Sequence, residues 1–349
     1  MNNKVMGEGE NLKRIILLMC SFAFALELTS AFSQVAFHGG KGLFRVLEAE
    51  PVTPADIFVN ANFSGYFEKT GPEQLAKYYN ANLNATVGIA HYLEAFVNFV
   101  PYQDDQFHLI GRIGDTYLGV KYLTPLTTDA FKFGVTGFYK FPTAERANVP
   151  YEIFTTDKPA WGAKALVTLD LLDVLPSFPV KFNFNIGYMD HNIYDPYFRS
   201  KVDQLLIGSG VKFSVRSVQI FTEYTAEVFF NVPQQVKFSQ NSMRITPGIR
   251  FLGPWKNTID VMFDFSLTQY DSLKNKDRFH KEYFDWKVSL GLTRYFTVFR
   301  YFDKTARLER QKRMEEMRKL EEIRKKREKA DQDLNKMKNI LEKNKSEKK

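Results

Sequence analysis

The sequence contains little of what a disulfide-bonded protein or a helical membrane protein requires. Cys20 is its only cysteine, and it lies in an apolar stretch near the N-terminus. No apolar run reaches the roughly 18 residues that a transmembrane helix needs. The chain has only five histidines, and no two of them have the spacing of metal ligands. These scarcities argue against thiol and metal chemistry and against an α-helical membrane span.

The N-terminus has the features of a secretory signal peptide. Lys13 and Arg14 form a charged region, residues 15–26 form an apolar core, and a small-residue cleavage motif ends at Ser33. We therefore expect residues 1–33 to be removed. The mature chain then has no cysteine, which excludes a disulfide, a thiol nucleophile and a cysteine-ligated metal.

What the chain does have is a repeated alternation of apolar and polar residues, beginning with the run from Ile57 to Phe67. A period of two residues is typical of a strand with one apolar face and one polar face. Aromatic residues are abundant, at 15% of the chain. The pattern predicts twelve strands, at 57–67, 82–91, 92–100, 114–123, 130–141, 161–170, 179–189, 203–214, 218–228, 242–252, 258–269 and 284–296.

Two segments make a wider resemblance explicit. The stretch from Asn84 to Phe96 resembles a first hairpin of bacterial outer-membrane β-barrel proteins, and the stretch from Gly114 to Tyr122 is similar to a strand that re-enters the membrane after an external loop. The resemblance is to the porin-like superfamily as a whole and to no specific member. It implies an all-β, up-and-down antiparallel transmembrane barrel, inserted by the outer-membrane assembly machinery and in contact with outer-membrane lipid and lipopolysaccharide.

This interpretation divides the chain into four parts. We expect a signal peptide over 1–33, a periplasmic N-terminal segment or plug over 34–56, the barrel over 57–297, and a charged periplasmic helix over 298–349. An even number of strands places both termini on one side of the membrane. The predicted location is the outer membrane of a Gram-negative bacterium, with both termini periplasmic.

The polar face of the predicted strands would line the lumen. Charges on the lipid face cost free energy, so the charged positions of one parity are assigned inward. The basic candidates outnumber the acidic ones, which predicts a mild preference for anions if the lumen is open. The candidate lumen-lining residues are Lys121, Lys132, Lys140, Lys164, Lys181, Lys212, Arg244, Arg250, Lys287, Glu94, Glu223, Asp260 and Asp264.

Whether the lumen is open depends on how it is filled. A twelve-stranded barrel lies between small barrels that are filled by side chains and large ones with a water channel. The sequence favours a narrow porin-like channel for small solutes. A non-conducting structural or anchoring barrel is the alternative. Residues 35–55 precede the first strand and either fold into the lumen as a plug or lie in the periplasm.

Catalytic chemistry finds little support in the sequence. None of the five histidines sits in the middle of a predicted strand, and His108, His191 and His280 fall in predicted external loops. No Ser–His pair or carboxylate pair stands out as a hydrolytic site. We therefore predict no enzyme activity and no cofactor, and an outer-membrane hydrolase is the third alternative.

The C-terminal region carries most of the net charge of +8. From residue 303 to the end there are 18 Lys and Arg against 11 Asp and Glu, a difference of +7. This stretch has no Gly or Pro and has Glu–Lys pairs at four-residue spacing, which predicts a long helix with coiled-coil character. Its expected partner is peptidoglycan or a periplasmic protein. Because the excess charge is confined to this tail, no nucleic-acid partner is expected.

Overall fold

A computed structural model describes residues 35–69, 75–104, 111–128, 130–144, 158–174, 178–194, 201–215, 217–231, 238–253, 257–268 and 285–297, together with residue 326. The predicted signal peptide and all but one residue of the predicted C-terminal helix therefore lie outside the described residues.

Twelve strands form the wall of the molecule. They are β1 (Asp56–Lys69), β2 (Leu75–Ala90), β3 (Leu93–Gln103), β4 (Thr116–Leu123), β5 (Phe131–Phe141), β6 (Ala160–Asp170), β7 (Val180–Tyr194), β8 (Lys201–Val215), β9 (Val218–Phe229), β10 (Ser242–Leu252), β11 (Asn257–Ser266) and β12 (Trp286–Thr297). Two short 3-10 turns, Leu171–Asp173 and Phe238–Gln240, lie in connections between strands.

The strands close into one up-and-down barrel. Each strand pairs with its neighbours in sequence, and β1 completes the ring against β12. The pairings between consecutive strands are antiparallel, as in β6 and β7, where Lys164 faces Gly187. The predicted twelve-stranded antiparallel barrel is confirmed. None of the helical residues described is part of a helix long and apolar enough to cross a membrane.

The side chains follow the parity that the alternation predicts. Outward residues such as Phe63, Ile220 and Leu290 are about half exposed, whereas the inward residues Asn60 and Glu223 are each 1% exposed. Large apolar side chains thus cover the outer surface, and polar side chains are enclosed. This is the reverse of a water-soluble protein and is the pattern of a barrel that faces lipid.

The predicted strand ends differ from the structure mainly at the end of the barrel with the longer connections. β2 begins at Leu75 rather than at residue 82, and β7 continues to Tyr194 rather than ending at 189. Consequently His191 lies in β7 and not in an external loop, and its imidazole is buried. These extensions carry no apolar alternation because a strand that projects beyond a lipid layer does not need it.

The register at the β10–β11 turn was predictable. Counting outward from Trp255 places Arg250 opposite Asp260, and the structure pairs these two residues. The Arg250 guanidinium forms a two-point ion pair with the Asp260 carboxylate, with Nη2 2.8 Å from Oδ2. Both side chains are buried inside the barrel, so the predicted cross-strand ion pair is confirmed.

The face assignment predicts different outcomes for the same substitution at two positions of β11. Phe263→Asp replaces an outward ring and forfeits about 1.5–3 kcal/mol of apolar burial, before the cost of placing a carboxylate in lipid. Ser266→Asp adds the same carboxylate on the inward face, opposite Arg244. We expect Phe263→Asp to abolish the heat-modifiable folded band on electrophoresis and Ser266→Asp to retain it. Equal losses in both variants would contradict the assignment.

Candidate functional site: a lumen occupied by the N-terminal segment

Residues 35–55, called the plug from here on, lie inside the barrel. The plug has no regular secondary structure and is held by its own turns, with Ala36 N–H donating to Gly40 O at 2.8 Å and Leu43 N–H donating to Val46 O at 2.8 Å. Gly39 has a φ of 93°, in the left-handed region that favours glycine. Sequence analysis favoured an open lumen; in the structure, the lumen holds this segment.

Apolar side chains of the plug pack against apolar residues of the wall. Phe37, Phe44 and Val46 form a cluster with Phe221 of β9 and Met262 of β11. Both wall residues occupy inward positions of strands whose other inward residues are mainly polar. These apolar positions in an otherwise polar face are therefore sockets for the plug.

Two inward glutamates bind the plug backbone. The Glu223 carboxylate accepts hydrogen bonds from the backbone N–H groups of Phe44, Arg45 and Val46, at 2.9–3.2 Å. The Glu94 carboxylate accepts from Lys41 N–H at 2.9 Å and from Val52 N–H at 2.7 Å. Hydrogen bonds to a charged acceptor are stronger than neutral ones, so these carboxylates are major anchors.

Amide and hydroxyl groups of the wall complete the backbone contacts. Asn185 accepts from Leu47 N–H at 2.7 Å and donates to Leu47 O at 2.9 Å, as a strand neighbour would. Thr168 accepts from Ala49 N–H at 2.9 Å. Because the plug has few backbone hydrogen bonds of its own, the wall supplies the partners that its buried peptide groups need.

The Arg45 side chain ties the plug to β10 and β11, beside the strand that holds its backbone. Its guanidinium forms a two-point ion pair with the Asp264 carboxylate, with both N–O distances at 2.7 Å. Nη1 also donates to Thr246 Oγ1 at 3.1 Å and lies 3.6 Å from Glu223. The planar guanidinium matches the carboxylate geometry, which makes this a specific as well as a strong contact.

Two plug carboxylates neutralise a cluster of wall lysines near the end with the short turns. Lys181 and Lys212 are directly opposite each other in the β7–β8 ladder, an arrangement that like charges destabilise. Glu48 lies between them, 2.5 Å from Lys212 Nζ and 3.6 Å from Lys181 Nζ. Glu50 pairs with Lys132 and lies 3.4 Å from Lys181. The wall and the plug are thus complementary in charge.

The plug contacts every strand of the barrel. The contacts are hydrogen bonds, ion pairs, apolar packing and one cation–π contact from Lys287 to Phe37. In strand order, the wall residues involved are Phe58, Thr86, Glu94, Lys121, Lys132, Thr168, Asn185, Lys212, Glu223, Thr246, Asp264 and Lys287.

The candidate lumen residues are in the places that their parity indicates. Eight of the nine basic ones have a carboxylate within 4.0 Å. The pairs are Lys121–Glu94, Lys132–Glu50, Lys140–Asp115, Lys181–Asp170, Lys212–Glu48, Arg244–Glu227, Arg250–Asp260 and Lys287–Asp264. The exception is Lys164, which has no carboxylate within 4.0 Å among the described residues.

Sequence analysis missed three wall carboxylates, Asp115, Asp170 and Glu227. Asp115 and Asp170 lie inside the predicted strands 114–123 and 161–170, on the same parity as the inward candidates Lys121 and Lys164, so their inward direction was predictable. Glu227 lies on the inward parity of β9 beside Glu223, and its position alone could have identified it. With these residues included, the interior is less cationic than the candidate residues suggested.

A cavity of about 80 Å³ lies between the plug and the wall. Its lining includes His38 and Arg45 of the plug and Tyr117, Phe138 and Lys164 of the wall. Tyr117, near the start of β4, lies at the end of the barrel with the longer connections. The Lys164 ammonium lies 5.6 Å from the centre of the Phe138 ring.

The described histidines are not arranged for catalysis. His191 Nε2 is 2.9 Å from the side-chain oxygen of Gln204, and the His38 ring contacts the rings of Phe37 and Tyr117. No three His, Cys, Asp or Glu side chains are grouped as around a metal ion within the described ranges. His108 and His280 lie outside them. The absence of enzyme activity stays a prediction.

Comparison with known proteins gives distant structural similarity only. No protein-family profile matches the sequence, and no curated protein sequence is similar to it. Among solved structures, the NanC porin has a TM-score of 0.47 at 10% identity, over 67% of this chain and 98% of that one. The KdgM porin has a TM-score of 0.42 at 7% identity, over 68% of this chain and 99% of that one. The translocator domain of autotransporter NalP from Neisseria meningitidis has a TM-score of 0.35 at 9% identity, over 83% of this chain and 98% of that one. The closed ring of twelve strands itself confirms the resemblance to outer-membrane barrels at the level of the fold.

Glu223 provides a test of how the plug is held. Glu223→Gln keeps the shape of the side chain but leaves one oxygen and no charge to accept three N–H groups. We expect the plug to be held less tightly by about 1.5–3 kcal/mol, the range for hydrogen bonds to charged groups. In a Val46→Cys background, labelling by a membrane-impermeant maleimide should accelerate correspondingly. Gln219→Asn, an inward change on the same strand, serves as the control, and equal labelling rates would contradict the assignment.

His38 predicts that acid releases the plug. Burial lowers the pKa of His38 well below its usual range, and the nearby cations Lys164, Arg45, Lys287 and Arg244 lower it further. In a released plug the imidazole would titrate near its ordinary value of about 6.5. The lowered pKa therefore contributes stability to the seated plug above about pH 6.5, and this contribution is lost as pH falls, by up to about 1.4 kcal/mol per pH unit.

Glu50 acts in a separate and lower pH range. Lys41, despite the opposing effect of burial, lowers the pKa of Glu50, with Lys181 and Lys132 adding to the effect. The stability that ionised Glu50 gives to the seated plug is therefore fully present above about pH 4.3, and it is lost only as the pH falls below that value. The thiolate fraction of any cysteine falls with pH, so labelling of the Val46→Cys variant is expressed relative to that of a fully exposed cysteine. This ratio should rise between about pH 6.5 and 5 in a manner that His38→Gln removes. An unchanged slope in His38→Gln would exclude His38 as the titrating group.

Proposed function

We propose that this protein is an outer-membrane β-barrel in which the N-terminal segment is a displaceable plug that closes a pathway for small solutes. The outward face of large apolar side chains supports the membrane location. The observation that carries the proposal is the contact of the plug with all twelve strands, made mainly through polar groups. In this proposal both termini are periplasmic, and the longer connections face outward.

The chemistry of the interface favours a reversible closure. Apart from apolar sockets such as Phe221, the wall groups that hold the plug are carboxylates, amides, hydroxyls and ammonium groups, such as Glu94 and Asn185. Water can satisfy such groups when the plug leaves, whereas an exposed apolar core would collapse or aggregate. The open state therefore avoids a large desolvation penalty.

The open lumen would retain a mild preference for anions. Near the end with the short turns, Lys121, Lys132, Lys181 and Lys212 are balanced by Glu94, Asp170 and Asp173 outside the plug, together with plug residues Glu48 and Glu50. Loss of the plug carboxylates leaves this region with more lysines than acids. A ring of uncompensated positive charge inside a low-dielectric wall attracts anions.

A non-conducting anchoring barrel is the second candidate. The number of plug contacts favours it, because a plug that never leaves makes the barrel a solid body. Its function would then reside in contacts made by the predicted C-terminal helix with peptidoglycan or a periplasmic partner. That helix lies outside the described residues.

A reversible cross-link separates the two candidates. A Cβ placed on Gly208 would lie 3.1 Å from Val46 Cγ2, so cysteines at these two positions are within reach of a disulfide. In planar bilayers we expect the oxidised Val46→Cys, Gly208→Cys protein to be closed and the reduced protein to show discrete openings. Each single-cysteine variant is a matched control. Silence in both states supports the anchoring barrel, and equal conductance in both states means that solutes pass beside the plug.

The selectivity of the open state tests the lysine cluster. Replacing Lys132, Lys181 and Lys212 together by Gln should shift the reversal potential of the reduced, conducting protein toward cations in a potassium chloride gradient. The shift should shrink at about 1 M salt, where screening acts within about 3 Å. Lys201→Gln, at the other end of the barrel, should leave the potential unchanged. A conducting wild-type protein that already prefers cations would contradict the proposed charge distribution.

A further inference from the structure

Lys164 stands apart from the other basic residues of the lumen. Its side chain is partly buried on the inward face of β6, and no carboxylate of the described residues is close enough to form an ion pair with it. An ammonium group that is withdrawn from water without a counter-ion is costly. Glu227 and Glu223 act on Lys164 electrostatically, but Glu227 is paired with Arg244 and Glu223 lies beside Arg45. Lys164 therefore lacks a close counter-ion of its own, which points to a bound anion.

The surroundings of Lys164 are those of a binding site. Its ammonium faces the cavity above the plug, whose other walls include the rings of Phe138 and Tyr117 and the aliphatic Leu206. Small-molecule sites are concave and largely apolar, with a few placed polar groups. The His38 ring also lines the cavity, and its centre lies 5.3 Å from that of the Tyr117 ring.

Glu227 limits the charge that the cavity can accept. It lines the cavity, is 8% exposed and pairs with Arg244 through Oε1, at 3.1 Å. Its other oxygen, Oε2, has no hydrogen-bond partner among the described residues. Among the charged residues of the lining, Glu227 pairs with Arg244 and Arg45 pairs with Asp264, which leaves the single positive charge of Lys164 without a close partner. A second negative charge on the ligand would meet Glu227 and be repelled.

The size of the cavity limits the ligand. A volume of about 80 Å³ is roughly half that of an apolar protein cavity of about 150 Å³ that accepts benzene. This accommodates a short aliphatic chain but not a large ring system. The occupant is therefore a compact molecule with one anionic group and an apolar body.

We propose that this cavity binds a short-chain organic monocarboxylate, with the carboxylate on Lys164 and the aliphatic chain against Phe138, Tyr117 and Leu206. This inference goes beyond the proposed function and does not depend on it, because the cavity exists with the plug in place. The plug supplies His38 as one wall of the site.

Butyrate is a suitable probe of the plugged barrel. Saturation-transfer NMR on the full chain in lipid nanodiscs should show saturable binding of butyrate near about 1 mM, within the efficiency that so small a ligand can reach. Lys164→Gln should weaken binding by about tenfold to a hundredfold, the worth of a hydrogen bond to a charged group. Lys164→Arg should restore it, which separates loss of charge from misfolding.

Two comparisons make the result decisive. Butanol has the same chain without the charge and should bind at least about tenfold more weakly than butyrate. Lys201→Gln removes a lysine that does not line the cavity and should bind butyrate as the unmodified protein does. Equal binding of butanol and butyrate, retention of butyrate by Lys164→Gln, or no saturable butyrate binding at millimolar concentration would each overturn the proposal. Failure of the cross-link experiment would leave this result unaffected.

Discussion

A barrel that turns its apolar side chains toward lipid must accommodate the polar and charged side chains that it turns inward, and most of this structure follows from that constraint. Lys181 and Lys212 face each other across neighbouring strands and could not share that position without a counter-ion. Glu48 of the plug provides it. The plug is thus part of the electrostatics of the wall, and the backbone contacts of Glu94 and Glu223 fix its position.

The inner face also explains why one cavity persists. Where the plug and the wall are complementary, carboxylates and cations are paired, and apolar residues such as Phe221 and Met262 are covered. At Lys164 this complementarity ends: the cation is unmatched by any described carboxylate and an apolar surface is left beside it. Both features of the proposed binding site therefore have one origin, a region that the plug does not complete.

The sequence was sufficient to predict the barrel, the residues of its inner face and the register between β10 and β11. Strict alternation assigned Phe263 outward and Asp260 inward, and the turn at residues 253–257 placed Arg250 opposite Asp260. It was not sufficient for the strand ends of β2 and β7, which extend past the alternating region. The position of residues 35–55 was also undecided, because a segment without periodicity does not indicate what it packs against. A usable signal was present in the apolar residues at inward positions, such as Phe221.

The plug is continuous with β1, since residue 55 is followed directly by the first residue of that strand. A segment tethered at the mouth of the lumen experiences an effective concentration in the millimolar range, whatever the concentration of the protein in the membrane. Displacement is therefore a unimolecular event with a built-in return, unlike the departure of a separate blocking protein. Even a plug weakened at several contacts would spend much of its time seated, and any opening would be brief and self-limiting.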